Sequence, residues 1–229
     1  MKKIKLIVLL FTAIVLFSCS KENEKTTGTN DKKDTKNSSG TSTQDSVPKL
    51  TRPKGRVLEM SKDSRLEWQA KKVTGEHHGT VSIARGEVYV DNDILTGGNF
   101  AIDMNTITVL GMDDTASVSK LTKHLKSDDF FASEKFPIGR FVFSSAEPVN
   151  DDKGNNYLIK GFLMIKNIQN PITFPAKIDI VAGKVTGTAE IVVDRTKYDV
   201  KFRSGKFFEN LGDNLIYDDF TMKVFFTAG

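Results

Sequence analysis

Residues 172–194 read ITFPAKIDIVAGKVTGTAEIVVD. Ile172, Phe174, Ala176, Ile178 and Ile180 recur at every second position, Ala182-Gly183-Lys184 interrupts, and Val185, Gly187, Ala189, Ile191 and Val193 resume the alternation. Side chains of a strand point to opposite faces in turn, so a period of two marks two half-buried strands joined by a tight turn.

The same period extends outward in both directions. It appears in Leu66-Trp68-Ala70, Phe100-Ile102-Met104, Phe141-Phe143, Ile159-Gly161-Leu163-Ile165 and Phe220-Met222-Val224-Phe226. Turn signals are read at Gly97-Gly98, at 152–156 (DKGNN) and at Asn170-Pro171. Many one-faced strands joined by short connections define an all-β domain, either a sandwich or a closed barrel. Gly161 and Gly187 fall in the apolar register, and glycine lets a strand bend as barrel corners require. The pattern therefore favours one antiparallel barrel of about eight strands, a number just wide enough to be filled by side chains or to hold one small ligand. One segment departs from the rule. Val118, Leu121 and Leu125 in 117–126 (SVSKLTKHLK) have helical spacing, with Asp113, Asp114 and Ser117 as candidate caps. A second short helix is read at 205–211, from Phe207, Phe208 and Leu211.

The helix leads into 124–137, HLKSDDFFASEKFP, followed by IGRFVFSSAEPV. This pair resembles the hallmark of the YceI-like family. GFLMIKNIQNPITFPAKI at 161–178 and VDRTKYDVKFRSGKFF at 193–208 resemble two further signatures of that family, in the same order. The resemblance implies an extended lipocalin-like barrel with a helical insertion and an elongated apolar cavity for an isoprenoid or other long-chain amphiphile. The departures are Leu163-Met164-Ile165 and the turn at 166–170 (KNIQN), where many members carry a Thr-rich strand and a Lys-Gly-Val-Thr-Lys turn. Taken with that resemblance, Trp68, Phe141, Phe143, Leu163, Phe174, Ile178, Ile191, Met222 and Val224 are the expected cavity wall. Phe130, Phe131 and Phe136 are the expected lid over one mouth, with Ser127-Asp128-Asp129 accepting backbone N–H groups and Pro137 launching the next strand. A filled and a hollow barrel share one periodicity, so the residues alone leave both open.

Catalysis has little to stand on. The acid pairs 113–114, 128–129, 151–152 and 218–219 are adjacent in sequence, and neighbours point apart rather than converge on one bond. His77-His78 sit in GEHHGT, read as a polar surface turn, and the third histidine, His124, completes no metal-ligand spacing with them. No catalytic residue, metal or cofactor is expected, beyond a bound lipid. Lys197, Lys201, Arg203 and Lys206 interleave with Tyr198, Phe202 and Phe207 and are read as a solvated rim rather than a nucleic-acid surface. The 16 Phe against one Trp and four Tyr supply apolar surface with few polar handles.

The N-terminal end addresses location. Lys2, Lys3 and Lys5 precede an apolar run from Leu6 to Phe17, shorter than the roughly 20 residues a spanning helix needs. Leu16-Phe17-Ser18-Cys19 resembles a bacterial lipobox, so residues 1–18 are expected to be a signal peptide and Cys19, the single cysteine, the lipidated first residue of the mature chain. Residues 19–50 are polar and mixed in charge, the composition of a disordered tether, leaving 51–229 as the barrel domain. Removing the three signal lysines from 33 basic residues leaves 30 against 29 acids, so no global charge excess points to a nucleic-acid surface. The expected setting is lipid-anchored at the bacterial outer membrane, on its periplasmic or outer side, with an apolar lipid as ligand and no protein partner indicated. A filled barrel acting through its surface is the second reading, and an enzyme acting on a held lipid the third.

Overall fold

The computed structural model describes residues 51–229. The expected signal at 1–18 and the tether with Cys19 at 19–50 lie outside the described residues. The strands are β1 (Arg56–Glu59), β2 (Arg65–Lys72), β3 (Gly75–Asp91), β4 (Ile94–Asp103), β5 (Ile138–Pro148), β6 (Tyr157–Ile165), β7 (Ile168–Val181), β8 (Lys184–Asp194) and β9 (Ile216–Ala228). β2 to β9 pair antiparallel with their neighbours in chain order, and β9 returns to β2, which closes an eight-stranded barrel. β1 is extra, and pairs with Glu87–Val90 of β3, beyond the stretch that β2 reaches. The all-β, lipocalin-like architecture read from the alternation is the one observed.

Three tight turns rest on paired left-handed residues: Asn92-Asp93 (φ 49° and 59°), Lys166-Asn167 (51° and 60°) and Ala182-Gly183 (47° and 81°). Such turns carry the backbone twist that two-residue hairpins need. Two turns expected from the sequence are strand instead. Gly97-Gly98 is not a turn but lies inside β4, where a Cβ on Gly97 would stand 2.4 Å from Pro53 and one on Gly98 2.4 Å from the Phe143 ring. These glycines make room, rather than reverse the chain. Asn170-Pro171 likewise lies inside β7. β7 pairs with β8 only from Ala176 onward, so Pro171 and Pro175 occupy the stretch where no β8 ladder calls for their missing N–H.

His77 and His78 are also not in a turn. They lie in β3, opposite Ala70 and Gln69, and the chain reverses earlier at Val73-Thr74. Burial, Lys72 and His78, in that order, hold the His77 imidazole below its ordinary pKa.

Between β4 and β5 the chain builds a cap. A 3-10 turn at Met104–Thr106 redirects it so that Thr108 and Leu110 bond to Thr80 and His78, continuing along β3 where β4 has stopped. Gly79 permits the close approach, since a Cβ there would sit 1.9 Å from the Thr108 carbonyl oxygen. α1 (Thr115–Lys126) follows, with the Asp114 carboxylate accepting from the N–H groups of Ala116 and Ser117. Among the described residues it is the one α-helix, because 205–211 forms turns rather than the expected second helix. There Phe207 and Phe208 N–H both bond to the Ser204 carbonyl, and the two rings remain half exposed.

Candidate functional site

The inward faces of the eight barrel strands converge on an apolar interior. It contains two chambers, of about 70 Å³ and about 80 Å³. The far chamber is walled by a cluster of phenylalanines: Phe141 lies 6.2 Å from Phe100, 5.7 Å from Phe143 and 5.4 Å from Phe174 between ring centroids. The cap-side chamber is bounded by Trp68, Val81, Met104 and Phe220 and closed over by Leu125, Phe130 and Phe131. A cavity of roughly 10–15 Å³ by this measure admits one water, so each chamber has room for several, yet apolar cavities of such size stay dry. The barrel is thus neither solidly filled nor wide open.

Glycines shape the far chamber by omission. A side chain on Gly187 would meet Phe226 at 2.0 Å, and one on Gly161 would meet the Val142 carbonyl at 2.5 Å and Phe143 at 2.8 Å. Next to Gly161 the β5–β6 register shifts between Phe143 and Ser145, a local bend in the wall.

All nine expected wall residues border this interior. Phe141, Phe143, Phe174, Ile178, Ile191 and Val224 line the far chamber, Trp68 the cap-side one, and Leu163 and Met222 both. Of the expected lid, Phe130 and Phe131 line the cap-side chamber, whereas Phe136 lines neither and sits half-buried before Pro137. The turn after α1 is held differently from the expectation for its acids. The Ser127 carbonyl accepts from Phe130 and Ala132, while Asp128 pairs with Lys135 at 2.6 Å and Asp129 with His124 at 3.1 Å. His124 stands edge-on to Phe130 and Phe202, with centroids at 5.0 and 4.6 Å, tying the cap to the β8–β9 connection.

The sequence reading passed over Leu66, Phe100, Ile102 and Phe226, which also line the far chamber; their alternation within strands was the available signal. It also passed over Arg195. This guanidinium borders the cap-side chamber, is only 4% exposed, and donates to the carbonyls of Val200 (2.8 Å), Ile216 (2.9 Å) and Tyr217 (3.1 Å), with Asp218 3.5 Å away. Burial pulls its pKa below the arginine norm, against Asp218 and Asp194. Its donors are spent on joining the end of β8, the following loop and the start of β9. Asp194 beside it accepts from Thr196 and pairs with Lys206 at 2.8 Å. Burial raises the Asp194 pKa, but Lys206 and Thr196 outweigh that and leave it below the usual carboxylate value. Lys201 likewise pairs with Asp199 at 2.6 Å, so the basic rim is partly neutralised by its own acids. Among the described residues, no three His, Cys, Asp or Glu side chains gather at metal-ligand spacing.

A closed antiparallel barrel around an apolar, two-chambered interior, capped by a helical insertion, defines a lipocalin-like protein. The chain belongs to the YceI-like domain family, whose profile matches residues 60–228. A UPF0312 protein of Shewanella denitrificans is 33% identical over 92 residues, which are 40% of this chain and 44% of that relative's length. BcnA of Burkholderia cenocepacia is similar in structure, with a TM-score of 0.56 at 19% identity, over 72% of this chain and 96% of that one. A polyisoprenoid binding domain from Saccharophagus degradans, implicated in plant cell wall breakdown, has a TM-score of 0.55 at 9% identity, over 76% and 98%. At these identities the two structures speak for the fold.

Proposed function

We propose that this protein is an envelope lipoprotein that holds a long apolar lipid, of isoprenoid, quinone or fatty-acyl type, inside its barrel. The observation that carries the reading is the pair of abutting apolar chambers running from the cap into the phenylalanine cluster. Binding draws on burial of methylenes, each contributing roughly 0.8 kcal/mol before the costs of association. The chambers are smaller than such a chain, so loading requires side chains to move aside. Met222, unbranched and with three rotatable bonds, is the part of the wall best suited to move. The likeness to a polyisoprenoid binding domain supports the same ligand class.

The protein acts as a carrier or store rather than an enzyme. The acids that were candidates for catalysis serve the framework instead: Asp114 caps α1, Asp151 holds the 151–155 turn, and Asp218 faces Arg195 and Lys206. In this reading Cys19 carries the lipid that holds the carrier at the outer membrane.

Native mass spectrometry of the purified protein, followed by organic extraction, tests the cargo. A co-purifying lipid, or tight uptake of a long-chain probe, is the expected result. A barrel that purifies empty and takes up no apolar probe supports the surface-module reading instead. For the anchor, Cys19→Ala is expected to move the protein to the soluble fraction, and continued membrane association argues against lipidation.

A further inference from the structure

Four side chains line both chambers and so form the partition between them: Leu66 of β2, Ile102 of β4, Leu163 of β6 and Met222 of β9. All four are buried; Leu66 and Met222 come from the neighbouring strands β2 and β9, and Ile102 and Leu163 from β4 and β6 on the other side, so together they make a girdle across the interior. Their freedom to move differs. Ile102 is stiff at its first side-chain torsion because it is β-branched, and the two leucines carry branched ends. Met222 is unbranched, with three rotatable bonds and a polarizable sulfur, the kind of side chain that re-forms itself around a neighbour. Its cross-strand partners bracket the boundary. Trp68 on one side borders only the cap-side chamber, and Ile191 on the other only the far chamber.

We infer that Met222 is a specificity-determining gate that sets the length of apolar chain the barrel accepts. A chain short enough for one chamber binds without disturbing the girdle. A chain that occupies both must thread past Met222, which swings aside to join the chambers. This rests on the reading of the barrel as an apolar-chain binder, and it adds that a flexible chain spanning both chambers is the preferred ligand, because every further methylene beyond the girdle finds apolar wall. Each buried methylene is worth roughly a four-fold gain in affinity.

The test compares binding of octanol and hexadecanol to the full chain and to Met222→Ile, Met222→Trp and Met222→Ala. The wild-type protein is expected to bind hexadecanol far more tightly than octanol. Met222→Ile keeps a side chain of similar volume but adds β-branching, and it is expected to weaken hexadecanol, which must pass the girdle, by at least ten-fold more than octanol, which only packs against it. Met222→Trp enlarges that loss, and Met222→Ala abolishes it. Met222→Ile keeps the experiment decisive if the tryptophan variant fails to fold. Parallel changes for both alcohols in every variant, or no change in any, overturn the gate while leaving the carrier reading intact. A wild-type protein that binds neither alcohol overturns the carrier reading, and the gate falls with it.

Discussion

Gly187 shows what a single absent side chain does in this barrel. It stands in the inward register of β8, and the room it leaves is taken by the edge of Phe226 and the end of Ile178. Gly187→Ala forces a methyl group against Phe226 at 2.0 Å, and overpacking of this kind costs roughly 1–3 kcal/mol. The expected result is a lower denaturant midpoint with an unchanged slope. Tyr198 gives a second residue-scale prediction. It is 2% exposed, and burial, aided by the Asp194 carboxylate, pushes its phenol from 10.0 up to about 12. An acid whose folded pKa is raised favours the folded state fully below its unfolded value, so this contribution is present up to about pH 10. It is lost as pH climbs from 10 to about 12, amounting to roughly 3 kcal/mol over those two pH units. Tyr198→Phe is expected to remove that share of the alkaline loss. Chemical denaturation of both proteins at pH 9 and near pH 12 reads the difference.

At the scale of elements, the strands were legible because one physical rule governs them all: the interior is apolar, and the pleat has a period of two. That rule also put all nine expected wall residues at the chambers. Turns were less legible, since Gly97-Gly98 and Asn170-Pro171 look like chain reversals while the actual reversals use Asn92-Asp93 and Lys166-Asn167 in left-handed conformations. A glycine needed for space and a glycine needed for a turn are identical in sequence. Arg195 was illegible as part of the interior because its three carbonyl partners come from segments up to 22 residues away. The cap supplies the element-scale prediction. Phe130 is 7% exposed and wedged among Phe131, His124 and Phe202, so Phe130→Ala is expected to cost roughly 3–5 kcal/mol. Phe131 is half-buried and faces Phe220 across the chamber, with ring centroids 6.4 Å apart. Phe131→Ala is expected to cost less stability and to speed release of a bound long-chain probe, measured by its dissociation rate. If release keeps its wild-type rate, the ring is wall and not lid.

For the whole molecule, closure of the barrel has an uneven seal. β8 and β9 pair over ten positions and β6 and β7 over nine, but β7 and β8 pair over only six, from Ala176 to Val181, and β4 and β5 also over six. Toward the cap β7 and β8 part, and the gap is spanned by side chains reaching across: Asn170 donates to the Lys197 carbonyl at 2.9 Å and Lys166 to that of Asp199 at 2.8 Å. Hoop strength in a closed sheet comes from its ladders, so a short ladder is where the hoop yields first. Hydrogen exchange of the full chain is therefore expected to be faster in 190–193 of β8, which pair with β9 alone, than in 185–189 of the same strand, which pair with both neighbours, and uniform protection along the strand would argue against this. Two such seams, with β5, β6 and β7 between them, let the barrel breathe along fixed lines, as staves loosen at their joints, instead of swelling evenly.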